Sequence, residues 1–321
     1  MTTASIRRPA LAFWRRVAPL LRPIERRASR VAAPLLSAAV LAVALYQLHR
    51  VSWPALTQLL PREPLFWVGF ALVYAAQPVA DWLIYRRLWG GTTARLGDLF
   101  RKTIHNDLLI GYAGEASLYA RARDEGRAAG DALADLKDVS ILSAAVGNGV
   151  TLAVALVAWP AWQRLHLSVP VGGTAAAIGL ALLLSPPLLV LVVRGAILRL
   201  RGADLALVSA VHLARAVGAN ALTLGIWHLA LPEVSATVWI ALLGLKLLAS
   251  RLPLVSNKEL VFAGAAVAVL GAEARAAALL TLIATLTMLT HAVLAVVLAV
   301  LPRQKITVSF EPVRIGAGGV V

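Results

Sequence analysis

The 321-residue chain contains no cysteine, which excludes disulfide bonds, thiol nucleophiles and metal sites built on thiolates. Charged side chains are also scarce. They make up 15% of the sequence, against about 25% in an average soluble domain. Hydrophobic residues make up 60%, and the mean hydropathy is +0.78. This composition is typical of an integral membrane protein rather than of a soluble domain.

Several long segments contain almost no ionisable side chain. Residues 139–159 and 172–193 have none, and residues 276–301 have only His291. Each segment is long enough to cross about 30 Å of hydrocarbon as a helix. Further apolar stretches lie at 32–48, 65–85 and 205–231. The sequence therefore predicts an all-α polytopic membrane protein with about six full transmembrane helices.

Acidic residues are few relative to basic ones. The chain has 16 aspartates and glutamates against 31 lysines and arginines, a net charge of +15. The excess lies in residues 1–30 and in short segments beside apolar runs, which is the positive-inside pattern. Attraction to anionic lipid headgroups is a second role for these basic residues. Because no recognised nucleic-acid-binding module accompanies the arginines, we expect no nucleic-acid partner.

The orientation in the membrane follows from the same charges. With a cytoplasmic amino terminus, the outer loops hold four basic residues: Arg50, Arg62, Arg164 and Arg275. We therefore predict a multi-pass protein of the cell (inner) membrane with both termini in the cytoplasm. Its predicted parts are a basic cytoplasmic leader (1–30), a transmembrane domain (31–305) and a short cytoplasmic tail (306–321).

Two segments are too short or too polar to cross the membrane. One is "LLIGYAGEASLYARAR" (108–123), and the other is the break "SRLPLVSNKELVF" (250–262) within an apolar run. The apolar pieces flanking that break rise roughly 20 Å each, less than a bilayer requires. Both segments predict re-entrant helical hairpins that enter from opposite sides, with Glu115 or Glu259 after the turn. Two opposed hairpins suggest an inverted repeat of the kind found in transporters.

Polar side chains within the apolar segments form the candidate site. A lone arginine at the depth of Arg215 costs at least about 2.5 kcal/mol even on the lenient insertion scale. Eight residues are predicted to line a polar cavity for a lipid headgroup: Asp81, Glu115, His212, Arg215, Arg251, Asn257, Lys258 and Glu259. Net positive charge there, with a helix N-terminus after Asn257, favours an anionic ligand such as a phosphate headgroup.

A purely structural role for these charges is the main alternative. The buried charges would then pair with one another, Asp81 or Glu115 with Arg215 and Glu259 with Arg251. We also expect a solvated cytoplasmic face that carries Asp124, Glu125, Asp131, Asp135 and Asp138.

Metal and cofactor sites are not expected. His212, His228 and His291 have no second histidine or carboxylate at ligand spacing on their own helices. The sequence also has no Walker motif, nucleophile elbow or HExxH pattern.

Two motifs resemble a known family. "YAGEASLYARAR" (112–123) and "LPLVSNKELVFAGAAVAVLG" (252–271) are similar to elements of the flippase-like transmembrane region of lysylphosphatidylglycerol synthases and its stand-alone relatives. The resemblance covers roughly residues 40–310 and implies a lipid-translocating fold. The chain departs from the family in having no glycine in "VSNKE" and in adding Lys258. We expect no lysyl transfer, because no aminoacyl-transferase domain is appended.

The sequence therefore predicts a flippase-like protein that binds or translocates an anionic lipid, such as a phospholipid or a polyprenyl phosphate. Without a nucleotide site, transport would be independent of energy or coupled to an ion or proton gradient. Two alternatives stay open: an accessory subunit of a membrane complex, and a membrane-embedded enzyme with Glu115 or Glu259 as general base. The lack of a dense His/Asp/Glu cluster argues against the enzyme. Membrane lipids are the expected partners, and self-association or other membrane proteins are further expectations.

Overall fold

The computed structural model describes residues 60–90, 95–109, 112–165, 173–251, 258–270 and 275–300, which form helices and no strand. Nine helices lie within these ranges: α1 (Pro64–Trp89), α2 (Leu96–Leu108), α3 (Ala113–Asp124), α4 (Ala129–Arg164), α5 (Gly173–Ile197), α6 (Gly202–Ala230), α7 (Ala236–Ser250), α8 (Lys258–Leu270) and α9 (Arg275–Val300).

Five of these helices are long and apolar enough to cross a membrane, namely α1, α4, α6, α9 and the part of α5 from Gly179 to Ile197. They coincide with five of the six predicted spans, which confirms the all-α membrane architecture. The sixth predicted span, 32–48, lies outside the described residues, as do the leader (1–30) and the tail (306–321).

Local sequence rules explain several helix boundaries. Pro64 occupies the first turn of α1, where the missing N–H of proline costs nothing. Gly90 ends that helix with a φ of +85°, a left-handed conformation that glycine adopts without strain. Ser235 caps α7, since its Oγ accepts a hydrogen bond from the amide of Val238 at 3.4 Å.

Four helices are short and form two pairs. α2 packs against α3, and α7 packs against α8. They contain 12 to 15 residues each, so they rise roughly 18–22 Å, less than the thickness of the hydrocarbon. The second pair lies where the sequence predicts a hairpin, although Asn257 and the rest of the break, 252–257, lie outside the described residues. The first predicted segment, 108–123, contains nearly all of α3, but its partner α2 lies before that segment.

Two apolar clusters hold the bundle together at opposite ends. The first joins the start of α1 to the end of α6 and to α7, α8 and α9, and it contains Phe66, Trp227 and Trp239. The second joins the end of α1 to α2, α3 and the starts of α4 and α6, and it contains Ile84 and Val139. α1 runs from the first cluster to the second, and α6 runs in the opposite direction. The space between the two clusters is therefore the middle of the bundle.

Asp135 and Asp138 are buried, which corrects the expectation of a solvated acidic face. They are 3% and 0% exposed. Asp135 accepts hydrogen bonds from Trp89 Nε1 at 3.1 Å and Arg199 Nη2 at 2.7 Å. Asp138 accepts from the backbone amides of Arg199 and Leu200 at 2.6 and 2.8 Å. These bonds tie α4 to the connection between α5 and α6.

Candidate functional site

A cavity of about 390 Å³, here called the large cavity, opens in the middle of the bundle. Its walls come from α1, α2, α3, α4, α6, α7 and α8, together with the turn before α3. Five of the eight predicted site residues line it: Asp81, Glu115, Arg215, Arg251 and Lys258. Of the charged residues in the lining, four are cations and two are carboxylates, an excess of two positive charges.

Arg251 lies along the α4 wall of the large cavity. Its Nε donates to Thr151 Oγ1 at 3.0 Å, and Thr151 in turn donates to the Gly147 carbonyl at 2.8 Å. A Cβ on Gly147 would lie 2.8 Å from both terminal nitrogens of the guanidinium. Glycine at this position therefore allows the arginine to lie against the helix backbone.

Lys258 is the first residue of α8, directly after the second break. Its Nζ donates to the carbonyl oxygen of Ser250, the last residue of α7, at 2.7 Å. The lysine thus joins the two sides of the break while its side chain contributes to the cavity wall. No carboxylate of the described residues lies within ion-pair distance of it.

Arg215 lies near the middle of α6, the helix that runs between the two apolar clusters. Its Nε is buried and has no hydrogen-bond partner within the part of the chain that the structure describes. A buried N–H without a partner loses the hydrogen bond that it makes to water. The arginine is therefore a strong candidate to bind an anion in the cavity.

The floor of the large cavity is an ion triad that the sequence does not reveal. Lys102 Nζ lies 2.8 Å from Asp81 Oδ2 and 3.1 Å from Glu115 Oε1, and Gln77 Nε2 donates to Asp81 Oδ1 at 2.8 Å. Burial disfavours the charged ammonium, but the two carboxylates outweigh burial and raise the pKa of Lys102 above its usual value. Both carboxylates thus pair with one lysine on α2, and the triad keeps a net charge of −1.

Close helix packing sets the position of this triad. α3 lies against α2 at Gly114, where a Cβ would lie 2.0 Å from the carbonyl oxygen of Lys102. The Gly114 amide also donates to Asn106 Oδ1 at 2.7 Å. Glycine in this place lets Glu115, the next residue, reach the lysine across the pair.

The carboxylates that a purely structural role pairs with Arg215 and Arg251 have other partners in the structure. Asp81 and Glu115 pair with Lys102 rather than with Arg215. Glu259 pairs with Lys246 on α7 rather than with Arg251. The structure therefore leaves the two arginines without the carboxylates that a purely structural role assigns to them.

Three predicted site residues are not among those lining the large cavity. His212 is fully buried on α6, one turn before Arg215. Glu259 lines a neighbouring cavity. Asn257 lies outside the described residues.

A second cavity of about 210 Å³, here called the small cavity, lies between α1, α2, α6, α7, α8 and α9. In it the Tyr74 hydroxyl lies 2.7 Å from His291 Nδ1, and His291 Nε2 lies 3.4 Å from Asp107 Oδ2. The ion pair of Lys246 with Glu259 lines the same space. Tyr74 on α1 and its partner His291 on α9 are 217 residues apart, so spacing along the sequence does not predict their contact.

No protein-family model, curated protein or solved structure matches the chain. Within the described segments, no group of three or more histidine, aspartate and glutamate side chains is placed to hold a metal ion. The functional argument therefore depends on the geometry of the two cavities.

Proposed function

We propose that the chain binds or translocates an anionic lipid through the large cavity, in the manner of a flippase. The observation that carries this proposal is a set of three cations that line the cavity, Arg215, Arg251 and Lys258. Among the residues that the structure describes, none of them has a carboxylate in ion-pair distance. In a medium of low dielectric constant, such cations favour an anion strongly. The phosphate of a lipid headgroup is the anion that a bilayer supplies in quantity.

The substrate class follows from the excess of positive charge. A phospholipid with a net negative headgroup and a polyprenyl phosphate both present the chemistry that Arg215 and Arg251 would bind, since guanidinium groups pair with phosphate oxygens in a bidentate way. The resemblance of residues 112–123 and 252–271 to the flippase-like region of lysylphosphatidylglycerol synthases supports the same substrate class.

A transport test compares an arginine of the cavity with an exposed one. The full chain is reconstituted in phosphatidylcholine vesicles that contain a fluorescent phosphatidylglycerol, and dithionite measures the lipid that crosses the membrane. Loss of a buried charged partner costs about 2 kcal/mol or more, so we expect Arg215→Gln to slow transfer at least tenfold. Arg164→Gln, at the exposed end of α4, should be unchanged. Equal, small effects of both variants would instead favour structural pairing.

The membrane arrangement is part of the same proposal. We infer an inner-membrane protein with cytoplasmic termini, in which the pairs α2–α3 and α7–α8 are re-entrant hairpins entering from opposite sides. The short helices support this arrangement, because each is too short to span. Non-helical backbone at that depth requires a cavity or protein around it, and residues of both pairs line the large cavity.

Single introduced cysteines test the arrangement by chemical labelling. The chain has no cysteine of its own, so no other residue is labelled. A membrane-impermeant maleimide added to intact cells should label Arg164→Cys and Arg275→Cys. Gly130→Cys, at the exposed start of α4, should be labelled only after lysis. Labelling of Gly130→Cys in intact cells would show that the first pair crosses the membrane, and the inverted repeat would then be wrong.

A membrane-embedded enzyme is the second candidate, and the Tyr74–His291–Asp107 contacts favour it because they join groups capable of acid–base chemistry. Glu115 and Glu259 are less suited to be bases, since each is paired with a lysine. Mass spectrometry of the lipid recovered from the vesicles separates the two functions. A transporter returns the lipid unchanged, whereas an enzyme returns it with an altered headgroup.

A further inference from the structure

His291 is held in the small cavity between a tyrosine and a carboxylate. Its ring contacts Tyr74 through Nδ1 at 2.7 Å and Asp107 through Nε2 at 3.4 Å. The histidine is 2% exposed, whereas the Asp107 side chain is 48% exposed. The three groups therefore form a continuous path from an accessible carboxylate on α2 to the interior face of α1.

Binding of one proton changes the hydrogen bonds along this path. With a neutral ring, Nδ1 accepts from the Tyr74 hydroxyl, and the ring hydrogen is on Nε2, the nitrogen nearest to Asp107. After a proton binds, both nitrogens carry hydrogen, and Nδ1–H donates to the tyrosine oxygen. The hydroxyl hydrogen of Tyr74 must then turn towards another acceptor.

Gln77 connects this change to the large cavity. It lies one turn after Tyr74 on the same face of α1 and lines both cavities. Its side-chain amide donates to Asp81 at 2.8 Å, the carboxylate held by Lys102. The groups that change with the proton are therefore next to the residue that orients the floor of the large cavity.

The charged groups that face His291 come from three helices. Asp107 belongs to α2, Lys246 to α7 and Glu259 to α8. Because Lys246 and Glu259 form an ion pair, a neutral His291 leaves the cavity with an excess of one negative charge. One bound proton removes that excess. Arg101 on α2 also reaches α9, at the backbone of Leu298 two turns away, and it pairs with Asp98.

We propose that His291, held between Tyr74 and Asp107, binds a proton when an anionic headgroup enters the large cavity. This inference rests on the proposed function and adds the proton as a second ligand. An anion beyond Gln77 makes the electrostatic potential at the imidazole more negative, which favours the charged ring. The same linkage requires that a proton on His291 strengthens anion binding.

Infrared difference spectroscopy tests the proton site without any added lipid. For the purified full chain in detergent, the acidic-minus-neutral spectrum should contain an imidazolium band and a shifted tyrosine C–O band. His291→Gln should remove the tyrosine band and one histidine's share of the imidazolium band, and Tyr74→Phe should remove the tyrosine band alone. His228→Gln is the control, since this exposed histidine near the end of α6 lines neither cavity. If Tyr74→Phe and His291→Gln both leave the spectrum unchanged, the proton site is wrong.

Calorimetry tests the coupling to the anion. Titration with dioctanoyl phosphatidylglycerol in two buffers of different ionisation enthalpy should give about one proton taken up per lipid bound, and close to none for His291→Gln. Lipid binding by the unchanged chain without proton uptake overturns the coupling and leaves the proposed function intact. Absence of lipid binding overturns the proposed function and the coupling with it, whereas the infrared result decides the proton site independently.

Discussion

The two cavities differ in how their charges are satisfied. In the small cavity, Lys246 pairs with Glu259, and His291 contacts both Asp107 and Tyr74. In the large cavity, the two carboxylates share one lysine on the floor. Three further cations line the space with no carboxylate of the described residues in ion-pair distance, and they are Arg215, Arg251 and Lys258.

This difference separates two reasons for placing charge inside a membrane protein. Paired charges offset one another's desolvation and hold helices together. Cations without a carboxylate cost free energy, and intramembrane charges of this kind commonly mark ligand or ion pathways. The difference therefore supports the proposal of an anionic ligand in the large cavity and of a proton site in the small one.

The largest expected effect is on stability, at the floor of the large cavity. Lys102→Met leaves Asp81 and Glu115 facing each other without a cation, which should lower the free energy of unfolding by roughly 3–5 kcal/mol. Thermal unfolding in detergent measures the loss. The triple variant Asp81→Asn/Lys102→Met/Glu115→Gln removes the charges together and should recover most of the stability. A triple variant as unstable as Lys102→Met would show that the triad stabilises by packing rather than by charge.

The next largest effect is on transport, and it contrasts neighbouring residues of α8. Lys258→Glu places a negative charge in the large cavity and should abolish transfer of phosphatidylglycerol while the protein still folds. Glu259→Gln breaks a pair in the small cavity and should retain partial transfer. Vesicle transfer rates, with size-exclusion profiles as a check of folding, distinguish the two. The opposite result would indicate carboxylate chemistry and contradict an anion site.

Much of the architecture follows from the sequence because a charge-free run of about 20 residues has few alternatives to a membrane helix. Five described helices match the predicted spans for this reason. Arg215, Arg251 and Lys258 could also be predicted as cavity residues, since a charge within an apolar run is costly unless it faces a polar interior. The sequence therefore predicts best those positions where burying a charged side chain costs free energy.

Partners across helices could not be predicted, because spacing defines a helix face but not what packs against it. Tyr74 and His291 are 217 residues apart, and Lys102 and Asp81 are 21 residues apart on different helices. The sequence predicts Glu259 in the same cavity as Lys258. Adjacent helical residues point about 100° apart, which is why the structure places these two in different cavities.

A smaller effect is expected from crowding one cation of the large cavity. Gly147→Ala adds a Cβ that would lie 2.8 Å from the Arg251 guanidinium, so the arginine must shift from the wall. We expect lipid binding to weaken roughly fivefold, equivalent to about 1 kcal/mol. Gly149→Ala is the matched control, because a Cβ there meets nothing within 4 Å. Equal affinities of the two variants would mean that Arg251 does not need this position to bind lipid.

The smallest effect on transport is expected where the charges satisfy each other. Lys246→Gln and Glu259→Gln should each lower stability by about 1 kcal/mol, an amount reduced by the partial exposure of both side chains. The double variant should be no less stable than either single one, since the second substitution removes a group that has already lost its partner. Its transfer of phosphatidylglycerol should stay within about twofold of the unchanged chain, because the cations of the large cavity are intact. Thermal unfolding and vesicle transfer on the same four proteins complete the cycle. If the double variant is stable but inactive, the charge that binds the anion lies in the small cavity, and the distinction between the two cavities is wrong.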